Sequence, residues 1–351
     1  MNDIPRLESL DVTGKRVIVR ADLDVDVSKG VVPLRIKALK PTLDYLLGMQ
    51  SKVIVIAHKG KPKGEIIKEL SLREVSQTLS SSIGRNIDFC DEVVGKTVKE
   101  KIGKLNPGDI IVLENLRFNI KEEENDLSFA QEIASLGECF INESFAESHR
   151  EVSSIVKLPG LLPHAAGLRF IDEVRNLSGV LNNPKRPIVM VISGVKEDKL
   201  SYIESFSEFS DKILIGGRLP DFIDQESSKF MLPTNDKEKI IIAQLNQDKE
   251  DITIRSIEKF EEEIAKAGTV VVSGPLGKYE DEGHGLGTER IFKAAVANKN
   301  AFKIAGGGDT ESAIGVLGLG GQFDWISVGG GAMLEFLAKG TLPGIQALMN
   351  I

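Results

Sequence analysis

Nine short apolar runs, most of them rich in Val and Ile, recur along the chain. They lie at 16–20 (RVIVR), 52–57 (KVIVIA), 109–113 (DIIVL), 138–142 (ECFIN), 187–192 (PIVMVI), 212–215 (KILI), 269–272 (TVVV), 302–305 (FKIA) and 325–328 (WISV). Each is bounded by Gly, Pro or charge. Continuous runs of this kind, rather than alternations, mark strands buried on both faces of a parallel sheet. Between them lie amphipathic segments. Ser71 and Glu74 make an S-x-x-E capping box, Leu72, Val75, Leu79 and Ile83 follow at helical spacing, and Gly84 provides a stop. Asp126 to Leu136 repeats the plan, with Phe129, Ile133 and Leu136 inward and Gly137 beyond the end. Strands alternating with helices predict an α/β fold with helices on both faces of doubly wound, Rossmann-like parallel sheets. At roughly 150 residues per domain, the 351 residues suggest two domains.

The strand ends divide the chain in two. Before about residue 165 the strands run into basic loops, with Arg20, Arg35, Lys61, Arg117 and Arg150 near strand ends and His58 and His149 beside them. Arg suits phosphate and carboxylate because its planar fork donates two parallel hydrogen bonds. Beyond about residue 185 the strands run into glycine loops: Ser193-Gly194, Gly216-Gly217, Ser273-Gly274-Pro275, Gly306-Gly307-Gly308 and Gly329-Gly330-Gly331. The stretch 168–181 has helical spacing and predicts a connecting helix. In open α/β sheets ligands sit beyond the carboxyl ends of the strands, so two domains presenting strand ends to a shared cleft is the economical picture.

Two of the glycine loops run strand, three glycines, helix. Glycines let a backbone approach a bulky anion, and a helix start offers free N–H groups and a favourable dipole. The competing reading is that they only close tight αβ turns, but the repetition favours a nucleotide site. Asp309 is suited to a phosphate-bound Mg²⁺, and Thr310 to capping the helix or bonding a phosphate. Lys196 and Lys199, beyond the strand at 187–192, are suited to neutralising a transferring phosphoryl group. There is no GxxxxGK[ST] P-loop, and Gly283 to Gly287 resembles a dinucleotide fingerprint only superficially, because no strand directly precedes it.

Composition narrows the class of partner. Forty-four Lys and Arg against fifty-two Asp and Glu leave a net charge of -8, which argues against nucleic acid. An anionic ligand then requires cations concentrated in one place. The two cysteines, Cys90 and Cys139, form no disulfide framework and no CxxC, which suits a reducing cytoplasm. The N-terminus lacks a signal-peptide pattern and no apolar run approaches membrane-spanning length, so no membrane partner is expected.

Taken in chain order, HKGKPKG (58–64), LENLRF (113–118), SHR (148–150), SGPLGKYE (273–280), GGGDT (306–310) and VGGGAMLEFLAKGTLPG (328–344) form an ordered set. On these motifs the chain, from Gly14 to Gly344, resembles the phosphoglycerate kinase family. The resemblance implies two doubly wound domains joined by a helix across a hinged cleft. Residues 1–167 with 338–351 would bind 3-phosphoglycerate or 1,3-bisphosphoglycerate, 168–181 would connect, and 182–337 would bind Mg²⁺ with ATP or ADP. It further implies Arg35 and Lys196 as catalytic, with Gly307 and Gly330 in the loops around the transferred phosphate. Arg20, Asp22, Asp24, His58, Lys61, Arg117, His149 and Arg150 fall on the substrate side. Lys199, Gly216, Gly217, Ser273, Pro275, Glu280 at the ribose, Gly306 to Gly308, Asp309, Thr310 and Gly329 to Gly331 fall on the nucleotide side, with Asp309 holding the metal. A monomer is expected.

The chain departs from the family pattern at several of these places. Asp24 replaces an Asn and Asp26 a Pro, Lys61 replaces an Arg and loses its fork, and Val152 replaces a second His. Lys196 and Lys199 are three apart rather than four, which on a helix turns their relative direction by about 100°. Val272 to Pro275 stands for WNGP, and Gly216 to Ser273 is shortened beside the expected base and ribose site. Two functions therefore follow: an active, compact and divergent kinase, or a catalytically weakened paralogue that binds phospho-ligands or uses another acyl phosphate. The presence of Arg35, Arg117, Arg150, Lys196, Lys199 and Asp309 favours the first. The chemistry suits that inventory, because moving a phosphoryl group between a carboxylate and ADP needs no general base. It needs cations and N–H donors around a water-excluded transition state, and hinge closure would bring Arg35 and Lys196 to it.

Overall fold

A computed structural model describes residues 4–28, 30–223 and 238–349. The chain separates into two compact units, one running to Val174 and resuming at Thr341, the other spanning Arg175–Gly340. Each is an α/β layer structure around a six-stranded, wholly parallel sheet.

The first unit holds β1 (Arg16–Arg20), β2 (Lys52–Ile56), β3 (Asp88–Cys90), β4 (Ile110–Leu113), β5 (Cys139–Asn142) and β6 (His164–Ala166), in the order β3-β4-β2-β1-β5-β6. Its helices are α1 (Leu34–Gly48), α2 (Arg73–Ile83), α3 (Lys96–Gly103), α4 (Leu127–Ala134) and the beginning of α5 (Leu168–Asn182). The burial of alternate residues explains the unbroken apolar runs. Val17, Val19, Val53 and Val55 pack with Leu39, Leu43, Val75 and Leu79 on one face. Ile18, Ile54 and Ile56 pack with Val98, Phe129 and Ile133 on the other.

The second unit holds β7 (Ile188–Ile192), β8 (Lys212–Ile215), β9 (Ile240–Ile242), β10 (Thr269–Ser273), β11 (Phe302–Gly306) and β12 (Trp325–Ser327), ordered β12-β11-β10-β7-β8-β9. Its helices are α6 (Ile203–Phe209), α7 (Leu219–Ile223), α8 (Ile254–Lys266), α9 (Leu286–Ala297), α10 (Gly308–Val316) and α11 (Gly330–Lys339). The last helix, α12 (Pro343–Met349), belongs to the first unit, where Gly344 N–H donates to the Ser148 carbonyl at 2.8 Å and His164 Nε2 lies 3.1 Å from the Leu348 carbonyl.

All nine sequence-predicted strands form. Three others, β3, β6 and β9, were not predicted; each is three residues long and sits at a sheet edge. The connecting helix forms as α5, and Asp126 caps α4 by accepting from Phe129 N–H at 2.8 Å. The capping box at Ser71 does not form. Glu114, following β4, accepts from Leu72 N–H at 2.9 Å and from the Ser71 hydroxyl at 2.7 Å. A buried carboxylate from the neighbouring strand end thus supplies what Glu74 was expected to supply, and Gly84 ends α2 with φ +69°.

The start of α5 depends on another buried carboxylate. Glu143, just past β5, accepts from the N–H groups of Arg169 and Phe170 at 3.0 Å each and from the Thr42 hydroxyl at 2.5 Å. Burial pushes its pKa from the ordinary 4.5 to about 7, against the lowering effect of those hydrogen bonds. Between these values the folded chain holds more protons than the unfolded one, so the Glu143 contribution to stability shrinks as pH rises through about 7. Glu143→Gln removes this titration. The unfolding free energy of the native sequence, measured relative to that variant by urea melts, is expected to fall between about pH 5 and about pH 8. A difference that stays flat would show that the carboxyl does not titrate in that window.

Candidate active site

In the first unit the connections run to one side of β1 for β2 and β4 and to the other side for β5 and β6, so the sheet changes direction between β1 and β5. Crevices at such switch points receive ligands. Arg20, the last residue of β1, lies there at 1% exposure. Its Nε donates to Ser154 Oγ at 2.8 Å, Nη1 to the Ala21 carbonyl at 2.7 Å, and Nη2 reaches His58 Nδ1 at 2.9 Å. Ser154 Oγ in turn donates to Glu122 at 2.6 Å. A guanidinium only donates, so His58 Nδ1 accepts and Nε2 carries the ring proton. Burial, then Arg20, Arg117, Arg35 and Arg150, hold the His58 pKa well below its usual 6.5, so the ring is neutral.

Asp22 is turned inward, accepting from the Ser144 hydroxyl and from Ala146 N–H at 2.9 Å. It fastens the loop after β5. Asp24 is half-exposed; its carboxylate accepts from Gly60 N–H at 2.9 Å, and its carbonyl accepts from Arg35 Nη1 at 2.9 Å in the first turn of α1. The Asp24 carboxylate is therefore tied to the loop after β2. Lys61 on that loop is exposed. Arg117 is buried, with Nη1 on the Gly60 carbonyl at 2.9 Å, and Arg150 is 44% exposed with Nε 3.1 Å from Glu147. His149 is half-buried beside it, and Val152 is buried as an apolar residue.

Glu147 was not anticipated. It lies among the cations, 2.5 Å from Arg117 and 3.5 Å from His58 Nε2. In sequence an isolated Glu between Ala146 and Ser148 reads as a surface charge, and only the fold turns it inward.

The second unit repeats the geometry with different groups. Its sheet changes direction between β7 and β10. Lys199 bridges those two strand ends, donating to the Ser193 carbonyl at 2.6 Å, the Ser273 carbonyl at 3.1 Å and Ser273 Oγ at 3.3 Å. Burial lowers its pKa to about 8, against the raising effect of Asp309. Lys196 is extended and exposed, outside the 3-10 turn Glu197–Tyr202. Helical spacing therefore does not set the relative direction of the two lysines, contrary to expectation.

Gly307 (φ +109°) precedes α10, and Gly330 opens α11; a Cβ on Gly330 would meet the Gly307 Cα at 2.6 Å. Only two glycines allow this approach, and it sets two helix N-termini side by side. Gly308, Asp309 and Gly331 are exposed there. Thr310 does not cap α10. Its hydroxyl donates to the Gly306 carbonyl at 3.0 Å and accepts from Gly274 N–H at 2.8 Å, joining the two loops from beneath. Gly216 and Gly217 follow β8 against the Ser193 loop, and the Pro275 carbonyl accepts from the Ser193 hydroxyl at 2.6 Å.

Nearby, Tyr279, Leu286, Val316 and Leu317 line a cleft of about 290 Å³, with Glu280 beside Tyr279. Sequence reasoning missed these apolar walls, although Leu286 and Val316 are exposed apolar side chains. Of the shortened segment between Gly216 and Ser273, residues 224–237 lie outside the described residues.

Among the described residues no cluster of three or more His, Cys, Asp or Glu is placed to hold a metal. A lone exposed carboxylate such as Asp309 at a helix start does fit Mg²⁺, which keeps several waters and takes few protein ligands when it rides on phosphates.

The phosphoglycerate kinase family model matches residues 7–223 and 220–340. The phosphoglycerate kinase of Dictyoglomus turgidum is 33% identical over 391 positions, covering 98% of both chains, and that of Finegoldia magna is 35% identical over 388, covering 97% of this chain and 98% of the other. Both alignments are longer than the 351 residues here, so they contain gaps on this side. Among solved structures, the phosphoglycerate kinase of Pyrococcus horikoshii superposes with a TM-score of 0.85 at 27% identity, and that of Coxiella burnetii with 0.78 at 27%; each match covers 98% of both chains. With two six-stranded parallel sheets, cations at the strand ends of one and paired helix starts at the other, the chain belongs to the phosphoglycerate kinase family.

Proposed function

We propose that this chain catalyses reversible phosphoryl transfer between 1,3-bisphosphoglycerate and ADP, giving 3-phosphoglycerate and ATP. The observation that carries the reading is the meeting of the α10 and α11 N-termini at Gly307 and Gly330, beside Lys199 and Asp309. Two helix starts, one lysine and one carboxylate form a site for a polyphosphate with its cation. The adjoining cleft, walled by Tyr279, Leu286, Val316 and Leu317, suits an aromatic base, with Glu280 at the ribose. The first unit, in this reading, holds the phosphorylated acid through Arg117, Arg150, Lys61 and Arg35. Arg20, fully engaged beneath them, keeps His58 in place.

Both acceptors are ionised at neutral pH, so no proton has to be removed before attack. Catalysis is then charge stabilisation: Arg35 and Lys196 at the moving phosphoryl group, and the N–H groups of the Gly307 and Gly330 loops on its oxygens. Bound with the nucleotide through Asp309, Mg²⁺ supplies neutralisation of the phosphate oxygens. Cys90 and Cys139 are free and buried, in keeping with a reducing cytoplasm, and we assign a monomer. Among the described residues no helix is long and apolar enough to cross a membrane.

A coupled assay for ATP- and 3-phosphoglycerate-dependent acyl phosphate formation tests the activity directly, and no turnover above background with nucleotide still bound would overturn it. Arg35→Ala is expected to lower kcat at least ~10²-fold with nucleotide affinity nearly unchanged, as removal of a transition-state contact does. Equal losses in binding and turnover would contradict that role. Lys199 is charged only below about 8, so kcat/KM for the nucleotide, which reports the free enzyme, is expected to fall as pH rises through that value. Lys199→Met should lower kcat/KM at neutral pH and abolish that alkaline limb.

A further inference from the structure

The first unit's anion site already contains an anion. Glu147, on the 3-10 turn Phe145–Glu147 after β5, is 6% exposed. Its Oε1 lies 2.5 Å from Arg117 Nη2 and 3.1 Å from Arg150 Nε. Its Oε2 lies 3.5 Å from His58 Nε2, the nitrogen that carries the ring proton because Nδ1 accepts from Arg20. One carboxylate is therefore hydrogen-bonded to Arg117 and lies within ion-pair distance of Arg150 and His58, on three different loops. Among the described residues Glu147 is the one ion-pair partner of Arg150, whereas Arg117 also has Glu123 at 3.4 Å.

A carboxylate or phosphate of a small ligand would make the same bonds with the same guanidinium groups. Truncating one partner of a buried ion pair is costly because the other charge is left uncompensated. Without Glu147 the buried Arg117 would carry part of that cost, with only Glu123 beside it, and Glu147 removes it. The same carboxylate then competes with any incoming anion.

We propose that Glu147 is an internal counter-ion that occupies the Arg117–Arg150 site in the unliganded protein and sets the affinity for the phosphorylated acid. Substrate enters by displacing this carboxylate from the two guanidinium groups, so part of its binding free energy is spent on the exchange. Burial raises the Glu147 pKa while Arg117, Arg20 and Arg150 lower it and Asp22 raises it further. The net shift is upward, so burial outweighs the arginines, two of which, Arg117 and Arg150, the carboxylate would surrender. The inference rests on the substrate assignment made above. It concerns affinity rather than chemistry: Glu147 is a specificity-determining residue and not a catalytic one.

The test is steady-state kinetics of Glu147→Gln at saturating partner substrate. The expected result is a KM for 3-phosphoglycerate lowered about tenfold, with the KM for ATP and kcat within about threefold of the native values. Glu147→Asp retains the charge but is one methylene too short to span both arginines; its KM should fall less, in the same direction. It also serves if the Gln variant does not fold. Thermal unfolding supplies the second readout. Unliganded Glu147→Gln is expected to melt below the native protein, and a fixed concentration of 3-phosphoglycerate should raise its Tm by more. A lowered Tm with an unchanged or higher KM would make Glu147 purely structural and overturn the proposal. If the native protein shows no 3-phosphoglycerate-dependent turnover, the kinase reading fails separately. Inorganic phosphate then replaces the substrate in the melting experiment: a larger Tm shift in the variant supports the counter-ion role, and an equal shift overturns it.

Discussion

A fully buried arginine organises the first unit. Arg20 ends the central strand β1, where a charge is costly, and burial lowers its pKa against the pull of Glu122, Glu147 and Asp22. The guanidinium meets none of these carboxylates directly. It reaches Glu122 through the Ser154 hydroxyl and Asp22 through the Ser144 hydroxyl, each serine accepting from the arginine and donating to the acid. Apart from a bond to the Ala21 carbonyl, its other contact fixes the tautomer of His58, whose ring is kept neutral by burial and then by this charge. The loops after β1, β2 and β5, and the turn bearing Glu122, are therefore tied together by one charge. Replacing any relay serine by an apolar residue would leave a buried charge without its partner, which costs more than an ordinary lost hydrogen bond.

A parallel sheet places every strand's carboxyl end on one edge, and both units put their polar chemistry there. In the first unit that edge carries side chains long enough to cross the loops. In the second it carries glycines, and a Cβ there would hold the loops and their backbone N–H groups apart. Gly274 shows the constraint most sharply: its φ is +102°, and a Cβ there would meet the Ser193 carbonyl oxygen at 2.1 Å. The close approach of these loops is also what allows Lys199 to bridge two strand ends and Thr310 to join two others.

Eight of the nine predicted runs are interior strands, legible because consecutive Val and Ile suit burial on both faces of a sheet; the ninth, β12, is an edge strand. The edge strands β3, β6 and β9 were not: DFC and HAA contain no Val or Ile run, and III is only three residues long and incompletely buried. The helix cap at Ser71 was misassigned because its true acceptor, Glu114, is far away in sequence and arrives only when β4 takes its place. The motifs located most of the loops that converge, but not what each side chain does there. Thr310 and Asp22 turned out to hold loops to one another, and Glu147 became visible only once Arg117 and Arg150 were placed on either side of it. Charge pairing across loops has no period, so no pattern in the chain announces it.

In the function proposed above the two units bind anions by different physical means, and this difference accounts for where the acidic residues fall. Backbone N–H groups at a helix start are dipoles; unliganded, they are satisfied by water and need no counter-charge. Guanidinium groups packed into a half-buried crevice are net charges and repel one another unless something intervenes. The second unit can accordingly leave its glycine loops bare, with Asp309 exposed beside them. The first cannot, and Asp22, Glu122 and Glu147 lie within its cation cluster. A net charge of -8 is therefore no obstacle to binding phosphorylated ligands. In the first unit some of the carboxylates are what allow so many arginines to be assembled around one site at all.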